Sequence, residues 1–191
     1  MYNGEQVSNN ITVLPTITGE NVVKYYRNGT QYYVVVLDGE GNPVANEDVS
    51  FNINGVFYTR KTNDEGIATL TINLNPGEYI ITSENPITGE KVSNNITVLS
   101  IIESSDATFT YEQGGKYTCK VVDEQGNAVA NAKVTFNIHG KIYERTSDEN
   151  GTVSLNINLF PGDYIITMDY NGFKQSNKIH VNKAEAKISF K

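Results

Sequence analysis

The chain has 191 residues, with 15 Lys and Arg against 22 Asp and Glu and a net charge of −7. Such an acidic balance excludes phosphate-backbone binding, and no apolar run is long enough for direct membrane insertion. Cys119 is the only cysteine, which excludes an intrachain disulfide and a thiolate zinc site.

The chain opens on a segment that reads as an ending. Val7–Leu14 is VSNNITVL, and the same string returns at Val92–Leu99, preceded both times by Gly-Glu. At the same offset Val22–Thr82 aligns with Ala107–Thr167 without a gap, matching VANEDVSFNING to VANAKVTFNIHG and NPGEYIIT to FPGDYIIT. SENPITGEKVSNNITV then corresponds to the shorter MDYNGFKQSNKIHV. A fixed-period match of this kind marks tandem structural units. The division expected is 1–19 as the closing strand of a preceding repeat plus linker, 20–99 as repeat 1, 100–105 as a short linker, 106–183 as repeat 2, and 184–191 as a linker or the opening strand of a next repeat.

Within repeat 1, apolar residues alternate as Val49, Phe51, Ile53 and as Leu70, Ile72, Leu74, the period of half-buried strands. Strands are predicted at 21–26, 30–38, 48–54, 56–62, 67–74, 78–84 and 90–99, separated by DGEGNP, Asn54–Gly55, NDEG, NPGE and NPITGE. The fold class is therefore all-β, two tandem immunoglobulin-like Greek-key sandwiches of about seven strands each. Tyr79 and Tyr164 each follow a Gly-acid pair at the start of the sixth strand, where a corner tyrosine bonds the backbone through its hydroxyl. Between the repeats, SIIESS would form a semi-stiff junction with Ile101 and Ile102 packed between domains.

The layout VVLDGEGNPVANEDVSFNING, then TNDEGIATLTINLNPGEYIIT, then VSNNITVL resembles the tandem immunoglobulin-like repeats of adhesin-like surface proteins of methanogenic archaea. More loosely, its D-x-x-G-N-x-V core resembles bacterial invasin repeats and the B-type stalk domains of collagen adhesins. The resemblance implies an extracellular, cell-surface protein built from adjacent repeats, whose partner would be a surface glycan or protein. It names no ligand, since fold analogy does not carry function. Four sequons, at Asn10, Asn28, Asn95 and Asn150, fit a glycosylated surface protein.

Strand parity turns Lys24, Glu47 and Asn94 inward, where repeat 2 has Phe109, Ala132 and Asn177. By analogy with the stalk domains, Lys24 and Asn94 would be joined by an isopeptide bond. Burial would lower the lysine pKa and raise that of Glu47, the proton carrier. In those domains, however, the lysine precedes the D-x-x-G turn, where this chain has Val35. In the other reading Lys24 snorkels to the rim and Glu47 is solvated.

Tyr26 and Tyr32 recur as Tyr111 and Tyr117 and are expected in the core, whereas Tyr25 and Tyr33 align with threonines. Those two form a predicted exposed pair on adjacent strands, suited to a sugar, a partner surface or cross-strand packing. The acidic turns lack the alternating ligands of a calcium loop, so no metal is expected. His139 and His180 have no counterpart in repeat 1, and no motif joins a base to a nucleophile, so neither enzyme activity nor a cofactor is expected. Three functions follow as expectations: a stalk or spacer presenting a distal binding region, a glycan- or protein-binding adhesin domain, or a filament subunit donating residues 2–14 as a strand.

Overall fold

The computed structural model describes residues 3–186. All sixteen elements it contains are strands. The chain folds as two compact units, residues up to 24 with 29–97, and residues 25–28 with 98 onward.

The first unit is built from β1 (Ile17–Gly19), β2 (Val22–Tyr25), β3 (Gln31–Val36), β4 (Asp48–Ile53), β5 (Val56–Lys61), β6 (Ile67–Thr71), β7 (Gly77–Glu84) and β8 (Lys91–Leu99). They form two sheets, β1-β3-β6 and β2-β8-β7-β4-β5. Alternation decides the inner faces: Tyr32, Val34 and Val36 of β3 and Val49, Phe51 and Ile53 of β4 are buried, while the residues between them are half-buried or exposed. Tyr32 meets the Phe51 ring edge-on, with centroids 6.0 Å apart.

The second unit repeats this with β9 (Ile102–Glu103), β10 (Ala107–Thr110), β11 (Lys116–Val121), β12 (Lys133–Ile138), β13 (Lys141–Thr146), β14 (Thr152–Asn156), β15 (Gly162–Tyr170) and β16 (Phe173–Asn182). Its sheets are β14-β11-β9 and β10-β16-β15-β12-β13, and β10 runs parallel to β16 with Phe109 beside Val181. In each unit the opening segment is divided between the two sheets. The arrangement is that of two tandem immunoglobulin-like β-sandwiches.

Both corner tyrosines make the expected bond: Tyr79 donates to the Asn75 carbonyl and Tyr164 to that of Phe160, each at 2.8 Å. The hairpins turn through left-handed residues, Asn54 and Gly55 in one unit and His139 and Gly140 in the other. Gly66 is needed for close approach as well as for its positive φ, since a Cβ there would lie 2.5 Å from the Val36 carbonyl oxygen.

The structure revises the expected junctions. Ile17 pairs with Val36, and Ile102 pairs with Val121 and is fully buried in the second core, so both stretches supply an opening strand. Ile102 thus belongs to a sandwich core and not to a junction. Residues 3–15, expected to include a closing strand, form none. Of the stretch 184–191, residues 184–186 are exposed and outside any strand, and 187–191 lie outside the described residues.

Candidate functional site

The inward polar residues are those most able to carry chemistry. Lys24 is only 5 % exposed. Its ammonium donates to the Ile72 carbonyl at 2.6 Å and more weakly to that of Thr30, and burial lowers its pKa. Asn94 has other partners: its Oδ1 accepts from the Tyr32 hydroxyl at 2.6 Å and its Nδ2 donates to the Gly19 carbonyl at 3.1 Å.

The inward asparagine is explained by the tyrosine it serves. A buried phenol needs an acceptor, and Tyr32 and Tyr117 are both core residues whose pKa burial raises, that of Tyr117 to about 12. In repeat 2 the Tyr117 hydroxyl donates to the Ser105 carbonyl at 2.9 Å and also lies 3.1 Å from Asn177 Oδ1. Gly19 completes the first version, because a Cβ there would fall 2.5 Å from the Tyr32 hydroxyl. Repeat 2 has Ser104 at that place, and its hydroxyl donates to Asn177 Oδ1.

The three residues proposed for a cross-link therefore do not converge. Phe109, the counterpart of Lys24, stands beside Val181, four residues beyond Asn177. That is about 13 Å along a strand. Repeat 1 keeps the same closing bond, Tyr26 N to the Leu99 carbonyl, as Tyr111 N makes to that of Asn182. Glu47 is exposed, contrary to its predicted parity. The backbone there is the same in both repeats, since Asn46 and Asn131 both have φ 59° and Glu47 N donates to Thr62 Oγ1 as Ala132 N does to Ser147 Oγ; the small Ala132 is buried and the longer Glu47 side chain reaches solvent.

Tyr25 and Tyr33 do not form the expected pair on adjacent strands. Tyr33 is 50 % exposed on β3, in the three-stranded sheet, whereas Tyr25 ends β2 in the five-stranded sheet and lies against Gly126. Parity distinguishes inside from outside but cannot say which sheet a strand joins. Among the sequon asparagines, Asn10, Asn95 and Asn150 are exposed, and Asn28 is half-buried with its amide donating to the Glu124 carbonyl at 2.8 Å.

The acidic turns use their oxygens internally. Asp38 Oδ1 accepts from Glu40 N and Asn42 N, both at 2.9 Å, and Asp123 Oδ1 accepts from Gln125 N at 2.9 Å and Asn127 N at 2.8 Å. These backbone bonds hold both carboxyls below their ordinary pKa. A structural clamp was not evident from the sequence. Asn85, fully buried, donates to the carbonyls of Thr16 and Leu37, while Glu90 accepts from the Thr16 amide and hydroxyl.

No protein-family model matches the chain. Among solved structures, it is 15 % identical to the fibronectin(III)-like modules of Clostridium thermocellum CbhA, over 92 % of this chain and 98 % of that one, with a TM-score of 0.33. It is 19 % identical to invasin, a bacterial integrin-binding protein, over 89 % of this chain and 40 % of that one, with a TM-score of 0.40. A Ca2+-stabilized adhesin of an Antarctic bacterium is 14 % identical, over 90 % of this chain and 50 % of that one, with a TM-score of 0.33.

Proposed function

We propose that the chain is a non-enzymatic stalk or spacer segment of an extracellular adhesin-like surface protein, of the kind its sequence resembles in methanogenic archaea. The observation that carries this reading is that two units of one design place a core tyrosine hydroxyl against an inward asparagine and close equivalent turns through an aspartate. Tyr32–Asn94 and Tyr117–Asn177 satisfy the core, and Asp38 and Asp123 close equivalent turns. Repeats that differ little add length without adding chemistry.

Single-molecule pulling tests it. A spacer should show two unfolding events, each releasing roughly 25–30 nm of chain for a unit of this size. Extension at vanishing force, without discrete events, would contradict a load-bearing stalk.

A second reading, strand donation to another chain, is favoured by the tail. Ile11 is 88 % and Val13 89 % exposed, although the same residues in β8 are core. Assembly that grows with concentration and disappears when residues 3–14 are removed would support it. A particle that stays monomeric at high concentration would remove it.

A further inference from the structure

The two units diverge most informatively at one end of the second sandwich. A cleft of about 590 Å³ opens there over buried Leu155 and Ile157, between the β12–β13 hairpin and the loop leading to β15. Its volume lies in the range of small-ligand sites. Tyr143 and Tyr164 line it and have counterparts Tyr58 and Tyr79 in the first unit. Four other lining residues differ: Asn156 replaces Thr71 and, at the rim, His139 replaces Asn54, Lys141 replaces Val56, and Phe160 replaces Asn75.

None of the rim replacements is what folding asks for. His139 occupies the left-handed position of a hairpin turn, φ 56°, where the asparagine of repeat 1 is the better turn residue. Its ring meets Tyr164 edge-on, with centroids 5.6 Å apart. Phe160 is 72 % exposed, yet it is stacked on Tyr111 at 5.6 Å and 30°, which fixes a flat aromatic wall at the rim. Lys141 is exposed, and its ammonium has no partner among the described residues, unlike Lys133, which pairs with Glu144. An unpaired cation and an imidazole on the rim of an otherwise acidic chain favour an anionic ligand.

We propose that this cleft binds an acidic saccharide. A pyranose ring would lie on the Phe160 ring, which Tyr111 backs, its hydroxyls within reach of His139 and the rim asparagine Asn158. Its carboxylate would be met by Lys141. Aromatic faces take the apolar face of a sugar, and a few polar groups fix its orientation. The spacer reading does not depend on this site, and neither does the site depend on that reading.

The test is a 15N-labelled titration of the whole chain with a galacturonic-acid trisaccharide and, separately, with its neutral galactose counterpart. Shifts confined to the neighbourhood of His139, Lys141 and Phe160, at least tenfold weaker with the neutral sugar, are expected. The triple variant His139→Asn, Lys141→Val, Phe160→Asn carries the residues repeat 1 already tolerates at these places, so it should fold and lose the response. No shift with the acidic sugar, equal binding of the neutral one, or an unchanged response in the triple variant would each overturn the proposal.

Discussion

Val7–Leu14 and Val92–Leu99 have one sequence and two conformations. In β8, Ile96 is fully buried and Val98 is 3 % exposed; in the tail, the equivalent Ile11 and Val13 are almost wholly in water. The difference lies entirely in what stands on either side. β8 has β2 and β7 to complete its ladder, and Tyr32 and Gly19 to occupy Asn94. The tail has the same β-propensity and forms no strand, because a strand is stabilised by its neighbours and by the face it buries, not by its own residues.

The largest expected effect breaks this pair directly. Ile96→Ala should destabilise the first unit by about 2–5 kcal/mol, since a buried isoleucine is replaced by a cavity. Ile11→Ala should change stability by less than about 0.5 kcal/mol. Chemical denaturation of both variants checks this, and similar losses in the two would mean that the tail is packed in solution. Hydrogen exchange gives a residue-level version: amides of 8–14 should exchange at the earliest times while those of 93–98 stay protected.

Next in size is the asparagine. Asn94→Ala leaves the Tyr32 hydroxyl short of its acceptor in the core and should cost about 1–3 kcal/mol, whereas Asn9→Ala should cost nothing measurable. Tyr32→Phe in the Asn94→Ala background should return part of the loss. A double variant no better than the single one would show that the hydroxyl has found water. The same partners predict an intact mass equal to that of the sequence, with no ammonia lost between Lys24 and Asn94. A deficit of one ammonia would show that the residues meet covalently.

The strands of five residues or more were legible in the sequence, because alternation over that length identifies a half-buried strand whatever its neighbours. Ile17–Gly19 and Ile102–Glu103 were not, since two or three residues contain less than one full alternation. Parity also placed Lys24 inside and turned the half-buried Asn94 toward the core, but failed at Glu47, which is exposed where the smaller Ala132 of repeat 2 is buried. It could not detect that Tyr25 and Tyr33 belong to different sheets, because sheet membership is decided by pairing between distant segments. The cleft residues His139, Lys141 and Phe160 were visible as departures from the repeat, but their convergence on one rim depends on the hairpin and the β15 loop folding to the same end.

The smallest effect separates the closing strands of the two units. Thr97 of β8 donates to Glu78 at 2.8 Å, and the equivalent place on β16 holds His180, whose Nδ1 lies 2.5 Å from Asp163 and Nε2 2.9 Å from Asn182 Oδ1. The Asp163 bond raises the His180 pKa, so the protonated ring is favoured by folding. A raised folded-state pKa gives stabilisation that is complete below the unfolded value of about 6.5 and is lost as pH rises through the folded value. Thr97 itself carries no group that titrates in this range. The resistance of the second unit to denaturation should therefore fall slightly from about pH 6.5 upward, an effect that His180→Thr abolishes by giving β16 the β8 residue. Because the pair is exposed, added salt should shrink the slope, and a slope indifferent to both the substitution and salt would assign it to another group.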